Sequence, residues 1–284
     1  MKVLHWSRAM LAMLLLSLLA ACGASTAPSG SSSAPAGAGE KKTYQNLVVG
    51  FAQIGAESEW RTANTLSIQE TAKSLGVELK FSDAQQKQEN QIKAIRSFIA
   101  QKVDVIGVSP VVETGWETVF KEVKDAGIPL ILLDRHADVS DDLFDAFIGS
   151  DFRLEGERAC NEMANLLGQK GRIVELEGTV GSAPALDRKA GFAECLKQYP
   201  EMEIIASQSG DFTRAKGKEV MQAFLKSYAG QIDALYAHND DMALGAIQAI
   251  EEAGLKPGSD IKIVSIDGVR GAFEAMVAKK LNVT

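Results

Sequence analysis

From Asn46 onward the chain alternates, and that rhythm constrains its fold more than any other feature. Short apolar runs are each followed by a stretch with helical spacing. The runs are NLVVGFA, VELKFSD, VDVIGVSP, PLILLD and AFIGSD, then RIVELEG, EIIASQSG, IDALYAH and IKIVSID. The intervening stretches carry apolar residues on one helical face, as with Ile92, Ile95 and Ile99, or Ala243, Ala246, Ile247 and Ile250. Gly76, Gly127 and Gly254 stand where helices should stop before the next strand. Strands that are apolar along their whole length are covered on both faces. The pattern therefore predicts an α/β fold of parallel sheets sheathed by helices.

The rhythm breaks once. DRHADVSDDLFDAFIGSDFRLEGE holds a long acidic loop and a strand that need not follow a helix, and the alternation restarts after it. We read a crossover near residue 150 between two Rossmann-like lobes, residues 43–150 and 151–284, with a ligand cleft between them. A chain of 284 residues is long enough for two such cores.

The first 42 residues follow other rules. Lys2 and Arg8 precede an apolar stretch, AMLAMLLLSLLAA, too short for a stable membrane span. That reads as an export signal over residues 1–21. Residues 22–42, beginning at Cys22 and rich in Gly, Ser, Ala and Pro, read as a flexible tether. The LAAC sequence resembles the lipobox of bacterial lipoproteins. That resemblance implies cleavage before Cys22, a lipid on its sulfur, and contact with a membrane through that anchor. A location outside the cytoplasm permits a disulfide, but Cys160 and Cys195, each in an expected helix, read as buried free thiols packing like small apolar side chains. After processing only His136 and His238 remain, and no CxxC or HExxH occurs, so neither a metal nor another cofactor is expected. The net charge of −7, without a basic stretch, argues against nucleic acid.

In open parallel sheets, ligands bind beyond the carboxyl ends of the strands. Polar and aromatic residues collect at those ends here. AQIGAESEWR, which supplies Glu57, Trp60 and Arg61, follows the first strand, and Asp134 and Arg135 end the fourth. In the second half Arg188 is expected at a helix start, followed by Phe212, Asn239 and Asp267 after later strands. Each residue also has a plainer role open to it. Asn239 or Asp240 caps the next helix, with Asp240 the expected cap. Asp267 before Gly268 can shape a turn, Trp60 can pack on a helix face, and Asp134 and Arg135 can form a salt bridge. Their recurrence at strand ends in both lobes favours a shared site. Carboxylates and guanidinium groups bind vicinal hydroxyls, and aromatic faces cover the C–H face of a sugar ring. Arg61, Arg135 and Arg188 are balanced by Glu57, Asp134 and Asp267, which suits a neutral sugar better than an anion.

Long stretches also resemble one family. GAESEWR, DAQQKQENQIKAIRSFIAQ, VELEGTVGSAPALDRKAGFAE, SQSGDFTRAKGKEVM and YAHNDDMALGAIQAIEEAGLKPG are similar to periplasmic sugar-binding proteins of the ribose-binding type, which serve ABC importers. The similarity runs from about residue 47 to 280. It implies a periplasmic binding protein type I fold and a monomer that closes on one monosaccharide, galactofuranose or a related furanose. The closed form then docks on the importer's permease. By the same resemblance Glu57, Trp60, Arg61, Asp134 and Arg135 hold the sugar from the first lobe, and Arg188, Phe212, Asn239 and Asp267 from the second. An amide near Gln86 corresponds more loosely and is not counted in the site. Members of the family return to the first lobe past this point, whereas this chain stops at KKLNVT. A fragment or an incomplete gene is the expectation, with weaker binding and lower stability than a completed chain.

Three other functions compete. An enzyme is disfavoured, since no G-x-S-x-G elbow, P-loop or dinucleotide fingerprint occurs and Asp134 and Arg135 have no nucleophile, metal or histidine specified beside them. A repressor would need a DNA-binding helix–turn–helix where the export signal and tether stand. A sensor that presents sugar to a chemoreceptor or kinase shares the same pocket and is the alternative to transport.

Overall fold

All nine expected strands form, and they sort into two parallel sheets. The computed structural model describes residues 43–284. The export signal, Cys22 and the tether lie outside the described residues. The first sheet has the order β2-β1-β3-β4-β5, built from β1 (Val48–Gln53), β2 (Glu78–Asp83), β3 (Val105–Val108), β4 (Leu130–Leu133) and β5 (Ala146–Ile148). The second has the order β7-β6-β8-β9, from β6 (Lys170–Glu177), β7 (Glu201–Ser209), β8 (Ala234–Ala237) and β9 (Lys262–Val264). Every pair within each sheet is parallel. Strand order reverses between β1 and β3 in one sheet and between β6 and β8 in the other. Such reversals splay the following loops apart and open a crevice at the strands' carboxyl ends.

The helices begin and end where local chemistry dictates. In the first lobe these are α1 (Glu59–Leu75), α2 (Gln88–Ala100) and α3 (Glu117–Asp125). The second lobe has α4 (Phe152–Leu167), α5 (Ala183–Leu196), α6 (Arg214–Ser227), α7 (Asp240–Glu252) and α8 (Arg270–Val277). Ser58 caps α1 by accepting the Arg61 N–H at 3.1 Å, and Asp151 caps α4 through the Leu154 N–H at 2.9 Å. α1 ends at Gly76 with φ 72°, a left-handed conformation that glycine adopts without steric cost. Ile95 is fully buried on α2, and Ile92 and Ile99 flank it in a core with Ile106, Leu130, Leu132, Trp116 and Phe120. The second sheet has an apolar cluster on each side, one under α6 and α7 and one under α4 and α5.

Two expectations are corrected. Cys160 and Cys195 are not free thiols but a disulfide joining α4 to α5, with their Cα atoms 6.1 Å apart. The cause is close helix packing. A Cβ on Gly156 would collide with the carbonyl oxygen of Arg188, and one on Gly191 with that of Arg153. Each cysteine lies four residues after one of these glycines, on the same face of its helix. The crossing that brings the backbones together therefore also brings the sulfurs together. Second, Asn239 and not Asp240 caps α7, since its Oδ1 accepts the Met242 N–H at 3.0 Å. The Asp240 carboxylate instead ties β9 to α8, accepting from the Ser265 hydroxyl and, at 2.9 Å, from the Val269 N–H.

Candidate functional site

All nine residues singled out in the sequence line one cavity of about 740 Å³. Glu57, Trp60 and Arg61 reach it from the β1–α1 junction, and Asp134 and Arg135 from the end of β4. Arg188 comes from the second turn of α5, not from its start. Phe212, Asn239 and Asp267 follow β7, β8 and β9. Gln86 does not line the cavity.

The first-lobe groups form a tight charge network. Arg61 Nη2 donates to Asp134 Oδ2 at 2.5 Å and Nε donates to Glu57 Oε1 at 3.2 Å. Arg135 Nη1 donates to the Val111 carbonyl at 3.0 Å, while its Nη2 stands 3.7 Å from Glu57 Oε1. Burial, and then the neighbouring Arg61, pull the Arg135 guanidinium down to about 10, so it remains charged at neutral pH. Burial acts on Arg61 in the same direction, but Asp134 and Glu57 overcome it and raise that group above its ordinary value. Two buried atoms of this network, Glu57 Oε2 and Arg135 Nε, have no hydrogen-bond partner among the described residues. One is an acceptor and the other a donor. Each such group costs about 1–3 kcal/mol when left unpaired.

The second lobe supplies a matching arm. Arg188 Nε donates to Glu155 Oε2 at 2.9 Å and Nη1 to the His238 carbonyl at 2.6 Å; Nη2 lies 3.7 Å from Asp267 Oδ1. Phe212 lies near both arginines, with Arg135 Cζ 5.3 Å and Arg188 Cζ 6.0 Å from its ring centre. Gly178 makes room for that ring, because a Cβ there would fall on it. The Asn239 amide does two jobs: beyond capping α7, its Nδ2 donates to the Phe212 carbonyl at 3.2 Å. One N–H of that amide is left for the cavity.

The backbone is strained at three of the nine positions. Asp134 has φ 64°, Phe212 φ 59° and Asp267 φ 123°. Side-chain-bearing residues seldom adopt such angles, at a cost of about 1–3 kcal/mol each, and they gather where function over-determines the geometry. Here the turns aim three side chains into one space.

Sequence reasoning missed Phe152 and Glu155 on the first turn of α4. Phe152 lies under Arg188, 5.2 Å from its Cζ, and Glu155 pairs with the same guanidinium. They come after β5, so the strand-end rule applied to AFIGSDFRLEGE would have found them; that segment read instead as a crossover.

Asp267 is the most perturbed acid. Burial, opposed by Arg188 and reinforced by Asp240, Asp134 and Glu155, pushes it up to about 8. At neutral pH it is largely protonated. Besides Asp267, the lining sets Glu57, Asp134, Glu155 and Glu162 against Arg61, Arg135, Arg158 and Arg188. In the unfolded chain an aspartate titrates near about 3.9. Between that value and about 8 the folded state therefore holds a proton that the unfolded chain has lost. The stabilising contribution is complete below about pH 4, shrinks as pH rises and is gone above about pH 8. Melting of the sugar-free protein should fall more steeply from about pH 5 to 8 than melting of Asp267→Asn. Parallel curves would place Asp267 in its ionised form throughout.

The pattern of the periplasmic binding protein domain matches residues 49–284. The chain belongs to that family. It is 54% identical over 240 residues to the galactofuranose-binding protein YtfQ of Escherichia coli (strain K12), covering 83% of this chain and 76% of that protein. Two solved structures of the family align with TM-scores of 0.81. One is the periplasmic binding protein component of the arabinose ABC transporter from Shewanella sp. ANA-3, bound to α- and β-L-arabinofuranose. It is 54% identical and covers 82% of this chain and 78% of that one. The other, from Mycobacterium smegmatis in complex with β-D-fucofuranose, is 55% identical and covers 83% of this chain and 78% of that one. The two-lobed, parallel-sheet architecture described above is the periplasmic binding protein type I fold, in a family that works outside the cytoplasm.

Proposed function

We propose that this chain captures a monosaccharide in its furanose form, galactofuranose or a close relative, and delivers it to an ABC importer. The observation that carries this reading is the cavity itself. Its lining sets arginines against acidic side chains, with Trp60, Phe212 and the Asn239 amide beside them. Its relatives include proteins solved with arabinofuranose and fucofuranose. Glu57 and Asp134 accept sugar hydroxyls, Arg61, Arg135 and Arg188 donate to them, and Asn239 and Asp267 complete the set. Trp60 and Phe212 cover the ring's apolar face. Import is preferred to sensing because the Shewanella relative is the binding component of a transporter.

Binding proceeds without turnover in this reading, and Glu57, Asp134 and Glu155 are held by arginines. The lobes close about a hinge, a motion for which periplasmic binding proteins are a standard example. Cys22 carries a lipid that holds a single chain at a membrane surface outside the cytoplasm. A thermal-shift screen of furanoses and pyranoses tests the ligand class. Sugar at a hundred times its dissociation constant adds about 2.7 kcal/mol, a visible rise in melting temperature. A rise with arabinose or galactose and none with glucose supports a furanose binder, and the sugar should be recovered unchanged. No rise with any sugar refutes the reading.

A further inference from the structure

Among the described residues, two hydrogen bonds join the lobes away from the cavity lining. In one, the Glu113 N–H donates to the Gly181 carbonyl at 2.8 Å, backbone to backbone. In the other, the Glu59 N–H donates to Asp241 Oδ2 at 2.6 Å. Asp241 is the second residue of α7, with its side chain 8% exposed, and it does not line the cavity. Its Oδ1 accepts from Arg214 at 3.2 Å through Nε and 2.9 Å through Nη2. Arg214 Nη2 also stands 3.9 Å from Glu59 Oε2 across the cleft.

We propose that Asp241 is the latch of the closed form, a positioning residue that docks the N-terminus of α1 on the second lobe and slows release of the sugar. The inference rests on the sugar-capture reading above. Glu59 opens α1, and the first N–H groups of a helix have no partner within it. They also carry the positive end of the helix dipole, which a carboxylate stabilises. The two residues after Glu59 are Trp60 and Arg61. Seating the start of α1 therefore sets two side chains of the cavity at once. Trp60 supports the seat by packing against the apolar cluster of the second lobe. Arg214 belongs to the same lobe as Asp241, so it holds the carboxylate in place before the lobes meet. Opening breaks the Glu59 contact and leaves the Arg214 pair intact. The latch thus acts on closure and not on folding of either lobe.

The test is stopped-flow binding of a furanose to the wild-type chain, Asp241→Ala and Asp241→Asn, with small-angle scattering of each protein with and without sugar. Truncating one partner of a buried, charge-assisted contact acts chiefly on the dissociation rate. Asp241→Ala should release sugar about tenfold or more faster with an almost unchanged association rate. Asp241→Asn keeps an oxygen acceptor and should fall between the two. Scattering should show less compaction on sugar addition in the alanine variant. If Asp241→Ala folds poorly, Arg214→Gln loosens the carboxylate without removing it, and should also speed release. A lowered melting temperature of the sugar-free protein with unchanged release would assign Asp241 to the second lobe's stability and overturn the latch. Unchanged release in all variants overturns it as well. A wild-type chain that binds no sugar overturns the underlying reading, and the latch with it.

Discussion

Asp134→Ala is expected to weaken furanose binding by at least about 100-fold while the protein still folds. Asp134 accepts Arg61 Nη2 at 2.5 Å and lies beside Arg135, between two guanidinium groups that both line the cavity. Removing it costs the site one hydroxyl acceptor and leaves the arginines in excess. Truncating such a buried partner costs about 2–5 kcal/mol in binding, and each 1.4 kcal/mol is about tenfold. The fold should survive, because Arg61 keeps Glu57 at 3.2 Å and Asn64 at 3.3 Å. Alanine at φ 64° adds a modest strain of about 1–2 kcal/mol. Asp134→Asn, which tolerates that backbone and keeps the shape, separates charge from strain and should bind with an intermediate affinity. Titration calorimetry with melting curves reads both quantities. Unchanged affinity in the alanine variant would make the Asp134–Arg61 pair a structural bridge and remove it from the site.

The second large effect lies in the disulfide. Joining Cys160 to Cys195 closes a loop across a sequence separation of 35 residues. In the chain-entropy account, removing that constraint from the unfolded chain costs about 3–4 kcal/mol of stability. For a domain of this size that is roughly 10 °C in melting temperature. The double variant Cys160→Ala, Cys195→Ala should lose that much, and reductant should lower the wild type to a similar level while leaving the variant unmoved. The bridge also braces the α4–α5 pair from which Glu155 and Arg188 meet at 2.9 Å. Sugar affinity should therefore fall too, by less than in Asp134→Ala. A variant within about 1 kcal/mol of wild type would mean that the glycine-mediated packing at Gly156 and Gly191 holds the helices without help.

Much of this is legible in the chain itself. The nine strands stand out as short apolar or alternating runs between helical stretches, and the helix stops because Gly76, Gly127 and Gly254 sit at the ends of periodic stretches. The nine cavity residues emerge from asking which side chains come after each strand, a question that needs only the direction of the chain. The features that escape depend on contacts between elements. The disulfide is set by a helix crossing, and only the repeated spacing Gly156 to Cys160 and Gly191 to Cys195 hints at it. Phe152 and Glu155 are hidden because the stretch after β5 reads as a crossover and not as a strand end. Asn239 and Asp240 are neighbours with equal capping chemistry, and the backbone direction at the end of β8 alone decides which one caps α7. The left-handed backbone at Asp134 and Phe212 has no glycine to signal it.

Whether a furanose ring fills this cavity is tested most directly by calorimetric titration with sugars locked in one ring size. Methyl furanosides of galactose and arabinose are set against the corresponding methyl pyranosides. One furanoside should bind per chain at about micromolar affinity or tighter, near −8 kcal/mol, with the pyranosides at least about tenfold weaker. Equal affinity for both ring sizes, or no heat with either, would contradict a furanose occupant.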